Sequence, residues 1–199
     1  GDRGLNTGGM GAISPVPFVT EEFKEKIEKQ IIKPTIEGLK KDKLHYKGFI
    51  FIGLIKVGSE PKVIEYNVRL GDPETEVVIP RIKNDFLTIL QAVNEERLNE
   101  VNLEIDSSFA ATVVAVSGGY PEAYEKGKII KGLDQQGKNM IFHAGTKQEG
   151  DQIKTSGGRV MAITSFGKDH QNAVKKAYEV LSKINFEGIN YRKDIGFDL

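Results

Sequence analysis

Apolar residues recur with a helical period in three stretches of the chain. Phe23, Ile27 and Ile31 are spaced four residues apart, and Thr20 before them is followed by two acids. This pattern predicts an amphipathic helix up to about Lys33 with Thr20 as its N-cap. The same spacing predicts two further helices, over residues 85–97 and 169–184.

Other apolar runs have the composition of β-strands. Tyr46–Val57 is nearly continuous in apolar residues, which predicts a strand buried on both faces. Gly58 and Pro61 then predict a hairpin-like turn into a second strand. After about Glu100, short apolar runs separated by glycine turns predict a small, mostly antiparallel β unit. Its predicted strands cover residues 109–116, 129–130, 139–144 and 159–164.

The second strand, over residues 63–70, alternates between apolar and polar residues. Because successive side chains of a strand point to opposite faces, Glu65, Asn67 and Arg69 are predicted to share one face. The opposite face is predicted to be apolar and available for packing, and it carries Ile64, Tyr66 and Val68.

The polar face of this strand suits a metal ion beside a phosphate. Glu65 and Asn67 offer the hard oxygen atoms that Mg²⁺ prefers, and alternate strand residues lie roughly 6.7 Å apart, so both can lean toward one ion. Arg69 would serve a neighbouring anion with its planar fork of donors. The strand continues into the turn Gly71–Glu74, whose acids stay accessible. On spacing alone, an ordinary antiparallel strand with one solvated polar face also explains these residues, and both interpretations stay open.

Residues 2–17 are rich in glycine and proline and have neither period. At their centre, Gly8–Gly11 lets backbone N–H groups approach a ligand, because glycine has no Cβ to obstruct it. Asn6 and Thr7 add polar side chains. The P-loop and dinucleotide patterns GxxxxGK[ST] and GxGxxG are absent here, and an ordinary connector remains an alternative. A second glycine pair, before Arg159, has the form of an anion-binding turn or of a tight β-turn.

Composition excludes several classes of partner and site. The 199 residues include 28 Lys plus Arg and 28 Asp plus Glu, so no bulk positive charge would recruit nucleic acid or a membrane surface. Without cysteine there is no disulfide framework, zinc–thiolate site or thiol nucleophile, which agrees with a cytoplasmic protein. The chain opens on Gly1 without an initiator methionine, and we expect it to be part of something longer.

Six motifs occur in order along the chain: NTGGMGAISPVP, IEYNVRLGDPETE, VSGGYP, FHAGT, SGGRV and YRKDIG. Together they resemble one family, the phosphoribosylamine–glycine ligases (glycinamide ribonucleotide synthetases), which are ATP-grasp enzymes of purine biosynthesis. The resemblance covers essentially the whole chain, and six motifs in register are far more specific than any one.

The resemblance implies an activity and a set of site residues. The family joins glycine to 5-phosphoribosylamine with cleavage of ATP, the co-substrate, and Mg²⁺ or Mn²⁺ is the implied metal. Glu65 and Asn67 fall on the metal-binding Glu-x-Asn pattern, and Arg69 is the implied catalytic residue. The implied substrate-binding residues are Asp2, Asn6, Thr7, Gly8, Gly9, Asp72 and Glu74.

The implied fold class is α+β. Residues 1–100 would be the C-terminal half of an ATP-grasp domain, an antiparallel sheet with helices, and residues 101–199 a small β-rich C-terminal domain with one terminal helix. The N-terminal half of the enzyme is the expected partner, and we expect the chain to be inactive without it. Two alternatives stay open: a non-catalytic binding or assembly module, and another ATP-grasp carboxylate–amine ligase with different substrates.

Overall fold

The computed structural model describes residues 4–199, in which helices and antiparallel strands alternate irregularly. The strands are β1 (Gly11–Ser14), β2 (Phe51–Val57), β3 (Glu60–Asn67), β4 (Phe109–Val116), β5 (Met140–His143), β6 (Thr146–Glu149), β7 (Gln152–Thr155) and β8 (Arg159–Gly167). The helices are α1 (Glu21–Ile27), α2 (Lys33–Lys41), α3 (Thr75–Val78), α4 (Phe86–Asn94) and α5 (His170–Leu181). This mixture confirms the predicted α+β class.

The chain divides into two compact units, and each is assembled from separate stretches of sequence. The first unit contains residues 4–15, 72–81 and 106–199. The second contains residues 16–71 and 82–105. The domain boundary near residue 100 stays a prediction.

The first unit is built on an antiparallel sheet with the strand order β1-β4-β8-β5. One face of this sheet packs against α5. Alternate residues of β4 and β8 point toward this face. Val113 and Ile163 on this face are fully buried against Ala177 and Leu181 of the helix. These side chains form the main apolar core of the unit.

The opposite face of the sheet is covered by irregular segments. Val114 and Ala162 pack there against Met10 and Tyr120, which lie outside regular structure, and against Phe142 of the neighbouring strand β5. Helix α3 also contacts β1, β4 and β8. The glycine-rich segment before β1 and the turn before α3 are therefore held within the same unit.

Three predicted helix starts are confirmed by their caps. Thr20, Asp85 and Asp169 each accept a hydrogen bond from a backbone N–H three residues later, as N-caps do. The first helix continues from α1 through a π-helical turn, Glu28–Ile32, into α2. Within residues 4–199, no helix is both long enough and apolar enough to cross a bilayer.

The strand predicted over Tyr46–Val57 is shorter and less buried than its composition indicated. Strand β2 begins at Phe51, and its residues range from half-buried to exposed, with Ile55 and Val57 more than half exposed. The prediction of two buried faces was wrong because β2 pairs with β3 alone in the described residues. Two strands alone are not covered by other elements on both faces, so their apolar residues stay partly exposed.

Strand β3 shows the same departure on its apolar face. Ile64, Tyr66 and Val68 are 65%, 50% and 72% exposed. The prediction that this face packs against other residues was therefore wrong for the described part of the chain, residues 4–199. The strand ends at Asn67, and Ile64 is an extra residue in a β-bulge, where Gly53 pairs with Glu65 but Leu54 pairs with Val63.

Some short strands of the first unit were predicted and others were not. Three predicted strands correspond to β4, β5 and β8. The strand predicted at residues 129–130 was wrong: Ile129 makes only an isolated bridge to Lys154. Strand β1 and the β6–β7 hairpin were missed, since the first lies in a glycine-rich stretch and the second in mostly polar sequence.

Candidate active site

Glu65 and Asn67 lie side by side at the end of β3. The Asn67 Nδ2 donates a hydrogen bond to Glu65 Oε1 at 2.9 Å, so the two polar side chains share one face as predicted. Opposite Glu65 in the ladder is Gly53, where an added Cβ would lie 3.0 Å from Glu65 Cγ. The missing side chain at Gly53 leaves room for the Glu65 carboxylate, which is exposed.

This pair fits a divalent cation that also takes ligands from phosphate and water. No group of three or more His, Asp or Glu residues suited to a metal occurs among residues 4–199. Mg²⁺ needs only one or two protein oxygens when phosphate supplies the rest. The amide of Asn67 would turn its oxygen toward the ion, since the amide oxygen and nitrogen are close in size and can exchange places. The donor set is therefore sufficient for a nucleotide-bound metal.

Arg69 lies beyond the strand that carries this pair. Because β3 ends at Asn67, strand alternation does not fix the direction of the Arg69 side chain. Its Nη1 donates to the carbonyl oxygen of Leu70 at 2.9 Å, and the side chain is exposed. An exposed guanidinium two residues from the pair remains a candidate for binding an anion.

In the other unit, the glycine-rich segment contacts the turn that follows Gly71. An added Cβ at Gly9 would lie 2.1 Å from Pro73 Cδ and 3.1 Å from the carbonyl oxygen of Asp72. The backbone N–H of Gly8 donates to the Tyr120 hydroxyl at 3.3 Å. Only glycine allows the two segments to approach this closely.

The guanidinium of Arg159 joins these same segments. Its Nη2 donates to Asp72 Oδ2 at 2.8 Å, and its Nη1 donates to the carbonyl oxygens of Asp72 at 3.1 Å and Gly9 at 3.2 Å. The Tyr120 ring packs against the backbone of Gly158, where an added Cβ would lie 2.4 Å from Tyr120 Cδ2. Two of the predicted substrate-binding residues, Gly9 and Asp72, are thus brought together.

Glu76 adds an unusual carboxylate to this unit. Its Oε2 is buried and has no hydrogen-bond partner. Burial raises the pKa of Glu76, and the negative charges of Asp72 and Glu74 raise it further, while the Arg159 guanidinium acts in the opposite direction. The acids after Gly71 therefore influence one another electrostatically.

The other predicted site residues have different environments. Asp2 lies outside the described residues. Asn6 is exposed and Thr7 is half-buried, which leaves both side chains accessible. Glu74 is half-buried, and its carbonyl oxygen accepts from the N–H groups of Val77 and Val78, so it forms the start of α3.

Sequence reasoning missed the structural importance of Tyr120 and Arg159. Both lie in glycine turns that belong to the resembling motifs, VSGGYP and SGGRV. A large side chain next to a glycine pair was the signal available, but nothing local indicated which distant segment it would contact. Arg159 is 87 residues from Asp72 and 150 from Gly9.

Comparison with family profiles accounts for most of the chain. Residues 1–75 match the ATP-grasp (A) domain of phosphoribosylglycinamide synthetase, and residues 110–198 match the C domain of the same enzyme. The chain belongs to the phosphoribosylglycinamide synthetase family. The predicted resemblance is confirmed.

Individual relatives support this family membership. A phosphoribosylamine–glycine ligase of Chlorobaculum tepidum is 45% identical over 98% of this chain, and one of Caldanaerobacter subterraneus is 44% identical over 98%. The crystal structure of the Thermotoga maritima phosphoribosylamine–glycine ligase matches 98% of the chain with 37% identity and a TM-score of 0.84.

The chain spans about half the length of these relatives. It covers 47% of the C. tepidum ligase, 46% of the C. subterraneus ligase and 48% of the T. maritima chain. Enzymes of the phosphoribosylglycinamide synthetase family use ATP and a divalent metal ion, which agrees with the donor pair on β3.

Proposed function

We propose that the protein to which this chain belongs is an ATP-dependent ligase that joins glycine to 5-phosphoribosylamine. ATP transfers its γ-phosphoryl group to the glycine carboxylate, giving glycyl phosphate and ADP. The ribosylamine nitrogen then attacks the acyl carbon, phosphate leaves, and the nitrogen loses a proton. The product is glycinamide ribonucleotide.

The observation that carries this proposal is the pairing of Glu65 with Asn67 on one face of β3 at 2.9 Å. We assign these two residues as the protein ligands of Mg²⁺ or Mn²⁺. When bound, the ion would neutralise phosphate charge during phosphoryl transfer. The exposed position of Glu65 supports this role, because its carboxylate is accessible to a nucleotide-bound ion.

Arg69 is proposed to bind negative charge near the reacting phosphate. A guanidinium presents several donors in a plane and matches phosphoryl oxygens bidentately. Stabilising charge that develops in the transition state is a large source of rate acceleration in phosphoryl and acyl transfer. Arg69 would therefore affect turnover more than substrate affinity.

The glycine-rich segment and the turn after Gly71 are proposed to contact glycine or 5-phosphoribosylamine. Asn6, Thr7, Gly8 and Gly9 supply side chains and backbone N–H groups, and Asp72 and Glu74 supply carboxylates. Asp2 is proposed for the same surface on the family resemblance alone. The contact of Gly9 with Asp72 and Pro73 supports a single surface made from both segments. The remaining half of the enzyme is the proposed partner for binding ATP.

A product assay with the full-length protein tests this function. We expect glycine, 5-phosphoribosylamine and MgATP to give glycinamide ribonucleotide and one ADP for each product molecule, measured by mass spectrometry and a coupled ADP assay. Glycine would be compared with other small carboxylates. A product from another carboxylate but not from glycine would contradict this proposal and favour a different ATP-grasp ligase.

A further inference from the structure

Arg159 links two segments that the proposed function assigns to substrate contact. Its guanidinium donates to the Gly9 carbonyl oxygen and to both the carbonyl oxygen and the carboxylate of Asp72. A guanidinium is planar and rigid, so three hydrogen bonds from one group fix the two segments relative to each other. All of these residues lie in one compact unit.

The base of this side chain is firmly held. Arg159 is the first residue of β8, which pairs with the buried strand β4. In the preceding turn, the Ser117 hydroxyl donates to the Gly157 carbonyl oxygen at 2.9 Å, and the Ser117 N–H donates to the Gly158 carbonyl oxygen at 2.8 Å. The arginine therefore extends from the rigid sheet toward segments that are outside regular structure.

The glycine-rich segment covers the guanidinium. An added Cβ at Gly8 would lie 3.6 Å from both Cζ and Nε of Arg159, which places the loop backbone against the group. The Arg159 side chain is 25% exposed, whereas that of Asp72 is 57% exposed. A charge-assisted hydrogen bond that is partly shielded from water holds its geometry better than an open surface ion pair.

The local charges add an electrostatic contribution to this link. Asp72 and Glu74 are close enough to raise the pKa of Glu76, while Arg159 acts to lower it. Removing the guanidinium would leave these carboxylates to repel one another without that positive charge. The turn would lose both its bond to the glycine-rich segment and its charge balance.

We propose that Arg159 is a positioning residue that holds the glycine-rich segment and the Asp72 turn in the one arrangement that binds glycine or 5-phosphoribosylamine. This role rests on the proposed ligase function and extends it to a residue outside both segments. Arg159 acts through Gly9 and Asp72 and does not itself contact the reacting atoms.

Substitution of Arg159 in the full-length enzyme tests this role. Arg159→Met keeps much of the side-chain length but removes every donor, and Arg159→Lys keeps the charge without the fork. We expect Arg159→Met to raise the KM of glycine or of 5-phosphoribosylamine at least tenfold and to change the KM of ATP less than twofold. Arg159→Lys should recover part of the loss.

Arg192→Met is the matched control in the same unit. Arg192 also makes a two-bond fork, to Asp194 at 2.9 and 2.8 Å, but it donates no hydrogen bond to the described residues Gly8, Gly9 or Asp72. Its three KM values should stay within twofold of wild type. Equal changes in all three KM values of Arg159→Met, or no change in any, would overturn the positioning role.

Hydrogen–deuterium exchange separates this proposal from the ligase function. Arg159→Met should speed exchange in peptides that contain Gly8–Met10 and Asp72, and Arg192→Met should not. If the wild-type enzyme makes no glycinamide ribonucleotide, the proposed function fails, and the link is judged by exchange alone. Unchanged exchange in Arg159→Met would then overturn it.

Discussion

Substituting alanine for Gly9 tests whether close approach of two backbones builds the substrate surface. The added Cβ would lie 2.1 Å from Pro73 Cδ, where ordinary van der Waals contacts begin at 3.4 Å. Pro73 is fully buried and its ring is rigid, so it cannot turn aside. The glycine-rich segment would have to move by more than about 1 Å, because overpacking of this kind is relieved by shifts of the backbone.

This displacement has two measurable consequences. Overpacking costs about 1–3 kcal/mol of stability. A misplacement of about 1 Å in a substrate-positioning segment can cost roughly 100-fold in rate. In addition, the Arg159 hydrogen bond to the Gly9 carbonyl oxygen is already 3.2 Å long and would not survive the shift. We therefore expect lower thermal stability and a large loss of ligase turnover in the full-length enzyme.

Gly38→Ala is the control for the glycine substitution itself. Gly38 lies inside α2 with nothing within 4 Å of an added Cβ. Alanine favours a helix over glycine by about 1 kcal/mol, so this variant should be slightly more stable and fully active. Thermal unfolding and turnover of both variants are compared with wild type. Normal stability and turnover in Gly9→Ala would refute the close-approach argument.

Three other substitutions test separate features of the structure. Leu181→Ala should lower the free energy of unfolding by about 2–5 kcal/mol, because the fully buried side chain packs α5 on the sheet. Urea denaturation measures this, and a loss below about 1 kcal/mol would contradict that packing. Tyr120→Phe removes only a 3.3 Å bond to the Gly8 N–H, and it should reduce turnover less than tenfold; inactivity would assign the hydroxyl a larger role. The pKa of Glu76 in the folded protein is raised above the ordinary 4.5 by burial. The unfolded chain therefore ionises first, and stability falls as the pH rises from about 4.5 through the folded-state pKa. Glu76→Gln should therefore melt near wild type at pH 4 and above it at pH 8, and a difference independent of pH would refute the burial argument.

The features that sequence predicted well are those decided by neighbouring residues. Thr20 was predicted as an N-cap, and helices were predicted to begin at Asp85 and Asp169, because a capping oxygen and the N–H that it accepts from are three residues apart. Glu65 and Asn67 were predicted to share a face because strand alternation fixes residues two positions apart, even with a bulge at Ile64.

The features that sequence missed depend on distant partners. Strand β1 forms in a glycine-rich segment because β4 supplies its ladder, and no local periodicity reports that pairing. The exposure of Ile64 on β3 depends on whether other elements cover the two-stranded sheet β2–β3. Apolar composition does not predict this. The contact of Arg159 with Gly9 joins residues 150 positions apart. For the same reason, motif matching indicated candidate segments for the site but not the residue that connects them.

The central claim is that this chain carries the metal-binding strand of a phosphoribosylamine–glycine ligase, and the turnover of Glu65→Gln in the full-length enzyme tests it most directly. Glu60→Gln on the same strand is the control, since Glu60 instead pairs with Lys26 at 2.9 Å. We expect Glu65→Gln to lower the rate of glycinamide ribonucleotide formation at least 100-fold. Electron paramagnetic resonance should show weaker Mn²⁺ binding. Thermal stability should not change, because the Glu65 side chain is exposed. Glu60→Gln should retain wild-type turnover. Wild-type turnover and Mn²⁺ affinity in Glu65→Gln would contradict the account.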